Sequence, residues 1–405
     1  MAPRLLSPMP ELALFGGSPV MPPPAWAVSP EATHLAGEGP IAELEARFRE
    51  WLGVEHALAL SSGTAALHIA LRACGLRPGD EVIVSAYDVG AAVAAALACG
   101  ARPVFADIHP ERCTLDPESV AQRITPRTRA LIVTHLFGMP ADLEPLLALA
   151  QAHRIFLIED AAQALGATYR GRPVGTWGDF GCFSLGPGKL LNAGEGGILV
   201  TRDPDRFRRA VRLSQHPLRQ LREGIRPSPF ALNYRMHPTA AEMAQNAWET
   251  MASVLAARRA VARAVNAVLA AHPGLRPIPV PEDREPTFSI FSPIWEEAAW
   301  EGVPRWAGVM ALAAEGVPIA VGPIGRPLHR RMGRWGKGFR CPSAEDRCRR
   351  ETVLALPPGP DSGFMEGLRE AVERVYRARR ALRAWAAGRP GLSFATGRSA
   401  ASPRA

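Results

Sequence analysis

The chain has 405 residues, of which 47% are hydrophobic and 21% charged, and a net charge of +8. This length allows two domains and a sizeable core. No apolar run reaches about 18 residues, and the N-terminus lacks a charged-then-apolar pattern, which argues against a membrane-spanning helix and a secretory signal. We therefore expect a soluble, cytoplasmic protein with no membrane partner.

Charge and cysteine patterns argue against two further kinds of site. The densest arginine cluster, residues 374–389, has helical spacing, and the chain shows none of the aromatic-and-basic interleaving of RNA-binding sheets. We interpret this cluster as a solvated helix face and expect no nucleic-acid partner. The six cysteines form no CxxC pair and no zinc spacing. We therefore expect them to pack in the core and expect no metal.

The first half of the chain predicts an α/β fold. Residues 1–34 are proline-rich, and we interpret them as an arm draped over the body. Residues 39–53 form an amphipathic helical pattern closed by Gly53. Apolar runs then alternate with helical patterns, which is typical of a parallel sheet covered on both faces. The predicted strands lie in HALAL, DEVIVSA, PVFADI, RALIVTHLFG and RIFLIED. Ligands of such sheets bind at the carboxyl ends of the strands.

The pattern changes in the second half of the chain. A long alanine-rich helix is predicted over roughly 238–270, followed by short strands, such as TFSIFSPI, and by helices up to about 387. We therefore predict a large domain at 35–250 and a smaller C-terminal domain at 251–388. The Ser/Ala/Arg-rich tail at 389–405 is expected to be disordered.

Lys189 stands out because this chain uses arginine for almost every basic position. Of 47 basic residues, only Lys189 and Lys337 are lysines, and Lys189 lies in the glycine-rich stretch CFSLGPGKLLNAGEGG. A lysine amine, unlike a guanidinium, can deprotonate when desolvated and attack a carbonyl. We therefore interpret Lys189 as a reactive residue and not as a generic surface charge.

Two other segments are expected to meet Lys189 at the carboxyl edge of the sheet. In SSGTAAL, the backbone amides of Gly63 and Thr64 at a helix N-terminus favour a phosphate, although a helix cap explains this pattern equally well. Asp160 ends a buried strand, where a carboxylate needs a cationic or hydrogen-bonding partner. An ordinary helix N-cap is the alternative interpretation of Asp160.

A phosphate pocket, a buried carboxylate and an accessible lysine amine together indicate one ligand, pyridoxal 5′-phosphate (PLP). The lysine forms a Schiff base with the aldehyde of PLP, and the aspartate keeps the ring nitrogen protonated so that the ring withdraws electrons. Each segment is weak evidence alone, and the combination and its order along the chain are more specific.

With these segments in view, the sequence resembles the DegT/DnrJ/EryC1/StrS family of PLP-dependent aminotransferases, which have the aspartate aminotransferase fold (fold type I). The resemblance covers residues from about 35 to 380. It implies a large domain with a mostly parallel seven-stranded sheet between helices and a smaller α+β C-terminal domain. The stretches that carry it are SSGTAALHIAL, GLRPGDEVIVSA, GARPVFADI, TPRTRALIVTHLFGMPADL, IEDAAQALGATYRGRPVGTWGDFGCFSLGPGKLLNAGEGGILVT and NYRM.

The resemblance implies a role for each candidate site residue. Lys189 would be the Schiff-base lysine and Asp160 the partner of the pyridinium nitrogen, and Gln163 would lie by the phenolic oxygen of the cofactor. Asn233 of NYRM would reach the cofactor of the neighbouring subunit, which implies a homodimer with a shared site; a turn or helix-cap role is the alternative. The residues implied to bind the phosphate are Gly63, Thr64 and Ser184.

The sequence also departs from the family. Members usually stack an aromatic residue of a "TF" or "TW" pair on the cofactor ring, and ungapped alignment places Asp88 and Val89 there. Either Tyr87, two residues earlier than Val89, stacks on the ring after a shift of the turn, or Val89 makes an aliphatic contact. The usual asparagine after the lysine is Leu190, and the usual asparagine before Gly-Thr is Ser62.

The function implied is transfer of an amino group from glutamate or glutamine to a keto-cyclitol or a nucleotide-linked keto-sugar in natural-product (aminoglycoside-type) or polysaccharide biosynthesis. One alternative is a PLP-dependent sugar dehydratase or deoxygenase, although known dehydratases of this fold carry histidine in place of the lysine. The other is a non-catalytic relative that keeps the fold.

Overall fold

The structure of the protein, a computed structural model, describes residues 35–272 and 274–389. The predicted arm at 1–34 lies outside the described residues, as does the predicted tail apart from Arg389. Within the described part no helix combines the length and apolar character needed to cross a membrane.

The described residues form helices and strands with the following bounds. The α-helices are α1 (Pro40–Leu52), α2 (Gly63–Ala73), α3 (Ala91–Ala98), α4 (Pro117–Ala121), α5 (Leu143–His153), α6 (Pro204–Ser214), α7 (Pro217–Arg222), α8 (Pro238–Ala270), α9 (Arg305–Ala314), α10 (Leu328–Arg331), α11 (Pro342–Arg350), α12 (Ser362–Arg377) and α13 (Arg379–Ala387). The strands are β1 (His56–Leu60), β2 (Glu81–Ser85), β3 (Arg102–Ala106), β4 (Thr128–Thr134), β5 (Phe156–Asp160), β6 (Thr168–Tyr169), β7 (Arg172–Pro173), β8 (Phe180–Ser184), β9 (Gly197–Thr201), β10 (Leu275–Arg276), β11 (Arg284–Glu285), β12 (Ile294–Trp295), β13 (Ile319–Val321) and β14 (Thr352–Leu354).

A seven-stranded sheet forms the centre of the fold, in the order β1-β9-β8-β5-β4-β2-β3. The pairs β2·β3, β2·β4, β4·β5 and β5·β8 are parallel, and β9 is antiparallel to both of its neighbours. The predicted mostly parallel seven-stranded sheet and its five predicted strands are confirmed. Because β2, β4, β5 and β8 are parallel neighbours, the loops that follow them meet at one edge of the sheet.

Local sequence signals explain where the first helix begins and ends. Pro40 occupies the first position of α1, where a missing backbone N–H costs nothing. Gly53 adopts a left-handed conformation with φ of 61°, and its N–H donates to the carbonyl of Glu50. This is the αL stop that glycine allows at low cost. The predicted closure of the helix at Gly53 is confirmed.

Apolar clusters cover both faces of the sheet, and a third lies in the C-terminal part. On one face α2 and α3 pack through residues such as Leu67 and Ala95, and on the other α1 and α5 pack through residues such as Phe48 and Leu146. The third cluster includes Trp295 and Trp300, whose rings stack with centroids 4.4 Å apart. The sheet is therefore buried on both faces, as its continuous apolar strands predict.

The long helix α8 contributes to two of these clusters. It spans Pro238–Ala270, as predicted. Ala241, Ala244 and Met251 pack against the sheet, whereas Val265 and Leu269 belong to the C-terminal cluster. The predicted boundary between residues 250 and 251 falls inside this continuous helix, and the division into two domains stays a prediction.

The strand predicted over TFSIFSPI is mostly wrong. Phe288 has φ of 50°, a left-handed conformation that interrupts an extended run. Phe291 forms only an isolated bridge with Leu354, and a two-residue strand, β12, begins at Ile294. A local apolar pattern cannot reveal this interruption, because the backbone of 287–289 is fixed by hydrogen bonds to residues near 137.

Two compositional predictions are confirmed. Five of the six cysteines are buried, Cys113 is half-buried, and all six are free thiols. The arginines of 374–383 lie on α12 and α13, Arg389 follows α13, and most of them are exposed. Several pair with glutamates, as Arg380 does with Glu301. The cluster is a solvated helix face.

Candidate active site

The loop between β1 and α2 forms a cradle at the carboxyl edge of the sheet. Ser62 caps α2, because its Oγ accepts a hydrogen bond from the Ala65 N–H at 3.0 Å. A Cβ on Gly63 would come within 2.9 Å of Ser184 Cβ, so only glycine lets the start of α2 approach the end of β8 this closely. Thr64 is exposed at the same helix N-terminus. The structure thus brings Gly63, Thr64 and Ser184 together where a helix N-terminus favours an anion.

Asp160 ends β5 and is only 3% exposed. Its Oδ1 accepts a hydrogen bond from the Ala162 N–H at 3.1 Å, and turns, not a helix, follow in 161–166. The alternative of an ordinary helix cap is therefore wrong. Burial, and next the charge of Asp88, raise the pKa of Asp160 to about 7, whereas the Ala162 N–H and Lys189 act in the opposite direction.

Lys189 lies in the loop after β8, where its backbone N–H donates to the Gly186 carbonyl at 3.2 Å. The side chain is half-buried. Burial lowers the pKa of its ammonium group, and the nearby carboxylate of Asp160 opposes this shift. A lowered pKa increases the fraction of neutral amine, which is the nucleophilic form. By contrast, Lys337 is exposed.

Gln163 is held with its amide oriented. Its Oε1 accepts a hydrogen bond from the Phe137 N–H at 2.6 Å, and its carbonyl accepts one from the Thr287 hydroxyl at 2.8 Å. Because the side-chain oxygen faces a backbone donor, the amide NH₂ is the part left to donate to another group. This arrangement suits the predicted role of Gln163 beside a phenolic oxygen.

The two alternatives for the ring-face contact differ in accessibility. Tyr87 is fully buried, its hydroxyl donates to Glu351, and its ring contacts the edge of Phe137 with centroids 6.1 Å apart. Val89 is 55% exposed. Since a ring-stacking side chain must have an open face, Val89 is the alternative that the geometry favours, and its contact with the cofactor stays a prediction.

Asn233 is exposed in the segment that precedes α8. The segment is fixed to the end of β1, because the Tyr234 carbonyl accepts a hydrogen bond from the Ser61 N–H at 2.8 Å. His237, not Asn233, caps α8, so the helix-cap alternative is wrong. The predicted contact of Asn233 with a neighbouring subunit stays a prediction.

Sequence reasoning missed the network that supports this edge of the sheet. Glu159 is fully buried and accepts backbone hydrogen bonds from Gly175, Trp177 and Gly178 at 2.6–2.8 Å. It also pairs with His135 Nε2 at 3.0 Å, while His135 Nδ1 accepts from a backbone N–H, which fixes the tautomer with the proton on Nε2. Side chains alternate along a strand, so Glu159 and Asp160 face opposite sides. The adjacent acids Glu159 and Asp160 in the sequence are the signal that could have indicated two separate roles.

Sequence reasoning also treated Asp88 only as a departure from the family. In the structure Asp88 is 1% exposed, and its Oδ2 accepts a hydrogen bond from the Thr134 hydroxyl at 2.6 Å. Thr134 lies directly opposite Asp160 in the pairing of β4 and β5. A second buried carboxyl group therefore lies close to the first.

The residues of this edge fit PLP. The buried carboxylate of Asp160 has a lysine as its only cationic neighbour in the described part of the chain, and a pyridinium N–H would complete its partners. The cradle at Gly63 would hold a phosphate, the free amide NH₂ of Gln163 a phenolic oxygen, and Lys189 the aldehyde.

A sequence profile of the DegT/DnrJ/EryC1/StrS aminotransferase family matches residues 31–361, most of the chain. The chain belongs to this family. Membership confirms the family predicted from the motifs around Lys189 and, with it, the α/β fold of the PLP-dependent transferases and PLP as the cofactor.

Similar proteins of known name act on sugars and cyclitols. The chain is 35% identical over 343 residues to a dTDP-3-amino-3,4,6-trideoxy-α-D-glucose transaminase of Streptomyces venezuelae, covering 82% of this chain and 87% of the relative. It is 45% identical over 182 residues to an L-glutamine:2-deoxy-scyllo-inosose aminotransferase of Streptomyces lividus, covering 45% and 42%. The chain spans less than half the length of some of the relatives it matches most strongly, among them a GDP-perosamine synthase of Caulobacter vibrioides, of which it covers 44%.

Solved structures share the fold. The structure of S. venezuelae DesV in complex with a ketimine intermediate superposes with a TM-score of 0.73 at 33% identity, covering 84% of this chain and 90% of DesV. An aminotransferase from Psychrobacter cryohalolentis superposes with a TM-score of 0.76 at 24% identity, covering 89% and 100%, and supports the fold alone.

Proposed function

We propose that this chain is a PLP-dependent aminotransferase that moves an amino group from glutamate or glutamine to a keto-cyclitol or a nucleotide-linked keto-sugar in natural-product (aminoglycoside-type) or polysaccharide biosynthesis. The observation that carries the proposal is the placement of Lys189 beside the buried Asp160 at the carboxyl edge of the sheet. An amine of lowered pKa next to a carboxyl group that needs a cation is the pair that PLP chemistry requires.

Each proposed residue has a defined role. Lys189 would hold the cofactor through its amine, and the same amine, when free, would be the base that moves a proton at the reacting carbon, since one positioned base can serve both ends of such a shift. Asp160 holds the ring nitrogen in its protonated form, and Gln163 donates to the phenolic oxygen. The start of α2 and Ser184 bind the phosphate. When bound, PLP supplies an electron sink that stabilises the charge left after the proton is removed.

The substrate class rests on relatives and not on geometry. The two relatives compared above carry the names of a nucleotide-sugar transaminase and a glutamine-dependent inosose aminotransferase. Amino transfer to a ketone on a polyhydroxylated ring is common to both names. We extend that class to this chain, with glutamine or glutamate as the amino donor.

We further propose that the enzyme is a cytoplasmic homodimer. The support is the exposed Asn233, whose side chain has no partner within the described part of one chain, and whose segment borders the site at Ser61. A second subunit would bring the corresponding asparagine to this cofactor and make the site depend on assembly.

A direct test is to find where the cofactor is bound. The purified protein is incubated with PLP and reduced with borohydride, and its peptides are mapped by mass spectrometry. We expect a stable adduct at Lys189 that Lys189→Ala abolishes, whereas Lys337→Ala, the matched change of the other lysine, leaves it intact. An adduct at Lys337 alone, or none at all, would refute the proposal.

The amino donor and acceptor are tested on the same protein. Glutamine or glutamate should change the absorption spectrum of the cofactor-bound protein. The protein whose cofactor has received the amino group should then aminate a member of a panel of keto-cyclitols and nucleotide-linked 4-keto-sugars. A bound cofactor that ignores every amino donor would favour the dehydratase alternative instead.

A further inference from the structure

Asp88 is a buried acid with no basic side chain paired to it in the described residues. It lies in the loop after β2, its Oδ1 accepts a hydrogen bond from the Val89 N–H at 2.6 Å, and its Oδ2 accepts one from the Thr134 hydroxyl at 2.6 Å. Burial raises the pKa of Asp88, and these two hydrogen bonds only partly oppose the effect. A carboxyl group this deeply buried, at 1% exposure, is costly to ionise without a cation.

The sheet brings Asp88 and Asp160 close together, with Thr134 of β4 between them. Thr134 ends β4, which lies between β2 and β5, and is directly opposite Asp160 in the register. Neighbouring strands are about 4.8 Å apart, so the two acids are separated by only one strand. The charge of Asp88 is, after burial, the largest contribution to the raised pKa of Asp160.

Within residues 35–272 and 274–389, few titratable groups lie around this pair. From the strand and loop beyond β5, the pair meets the buried thiol of Cys182, whose pKa burial and Asp160 raise, and the amine of Lys189. From β4 it meets the hydroxyl of Thr134, and Tyr87, the neighbour of Asp88, points to Glu351 instead. Two carboxyl groups therefore share a site with one amine. Because only one strand separates the two acids, ionising both of them costs free energy.

We propose that Asp88 is a positioning residue that acts through Asp160: the two carboxyl groups hold one proton between them in the cofactor-free site, and that proton is the one the ring nitrogen of PLP carries after binding. The inference rests on the proposed function. On binding, an O–H bond of the pair breaks and an N–H bond forms on the ring. Both carboxylates are then ionised against the pyridinium, and the transfer itself neither takes up nor releases a proton.

Infrared difference spectroscopy of PLP binding tests this without any turnover. The pH of the measurement is set close to the pKa of Asp160, which is about 7. We expect the wild-type protein to lose the band of a protonated carboxyl group when PLP binds. In Asp88→Asn and in Asp88→Thr, Asp160 no longer has an acidic neighbour while Lys189 remains, so Asp160 is more ionised before binding and the lost band should shrink by about half or more.

Asp179→Asn is the matched control. Asp179 accepts a hydrogen bond from the Leu157 N–H, near the opposite end of β5, and the variant should keep the full band. An undiminished band in both Asp88 variants, or no band loss in the wild type although PLP binds, would overturn the inference and leave the proposed function standing. A wild-type protein that binds no PLP would instead refute the proposed function.

Discussion

Gly63 lies so close to Ser184 that a Cβ atom on residue 63 would come within 2.9 Å of Ser184 Cβ and 3.3 Å of its Cα. The start of α2 and the end of β8 therefore touch at a residue without a side chain. The proposed phosphate cradle depends on this contact, since both elements supply its walls.

Gly63→Ala tests the cradle. Because the added methyl group must displace Ser184, we expect PLP to bind at least about tenfold more weakly, a loss of roughly 1.4 kcal/mol. We also expect the free energy of unfolding to fall by about 1–3 kcal/mol, as in other overpacked sites. Fluorescence titration with PLP and urea unfolding measure the two effects.

A matched glycine controls for the change of residue type. Gly367 lies within α12 and is exposed, with no heavy atom within 4 Å of a Cβ built on it. Gly367→Ala should raise the free energy of unfolding by about 0.5–1 kcal/mol, because alanine favours a helix over glycine. PLP affinity should stay at the wild-type value. Equal PLP affinity in the two variants would contradict the cradle.

Lys189→Arg separates charge from reactivity. Arginine keeps a cation near Asp160 but cannot attack a carbonyl or move a proton, so we expect amino-transfer activity to fall by about 10²–10⁴-fold. Lys337→Arg, at the exposed lysine, should keep full activity. The assay follows the donor half-reaction by absorbance; a Lys189→Arg enzyme with near-normal rates would show that this amine is not the base.

The raised pKa of Asp160, about 7, gives the cofactor-free protein a specific pH dependence. The folded chain keeps this proton up to about pH 7, whereas an unfolded aspartate loses it near its usual pKa of about 3.9. The folded state therefore binds more protons between these values, and the free energy of unfolding falls as the pH rises through this window, by up to about 1.4 kcal/mol per pH unit.

Asp160→Asn should remove this part of the pH dependence and be more stable than the wild type near pH 8. Urea unfolding of the cofactor-free proteins between pH 5 and about 8 measures it. Parallel curves for the two proteins would show that Asp160 is ionised throughout.

Glu159→Gln tests the network behind the site. The amide NH₂ of glutamine would face backbone N–H groups that now donate to a carboxylate, and the loop at 175–178 would lose its anchor. We expect a loss of roughly 3–5 kcal/mol in the free energy of unfolding, as when one partner of a buried charged network is removed. Glu249→Gln, whose side chain is 72% exposed and paired with Arg47, should cost less than about 1 kcal/mol.

The elements that sequence reasoning predicted correctly are those fixed by local pattern. The strands of the central sheet are continuous apolar runs, and Gly53 stops α1 because glycine adopts the αL conformation readily. Lys189 was recognisable because its residue type is rare in this chain and its neighbours are glycines. These signals need no knowledge of distant contacts.

The features that were missed depend on contacts between distant segments. Asp88 acquires its partner only when β4 lies beside β2, and the strand predicted at TFSIFSPI fails because Phe288 bends where the chain contacts residues near Phe137. Glu159 and Asp160 are adjacent in the sequence, but the pleat of β5 directs their side chains to opposite faces of the sheet. The proposed role of Asn233 would depend on a second subunit, which no single chain contains.

Helix α8 has 33 residues and, at 1.5 Å per residue, is about 50 Å long. Its first half packs against the sheet that carries Lys189, and its second half packs against Trp295 and its neighbours. Unfolding of either cluster would remove the packing contacts of one half of α8. We therefore expect the two clusters to unfold together as one cooperative unit. Calorimetry should accordingly record one transition. A ligand that binds at the sheet should also raise the temperature at which the tryptophans of the C-terminal cluster lose their native fluorescence.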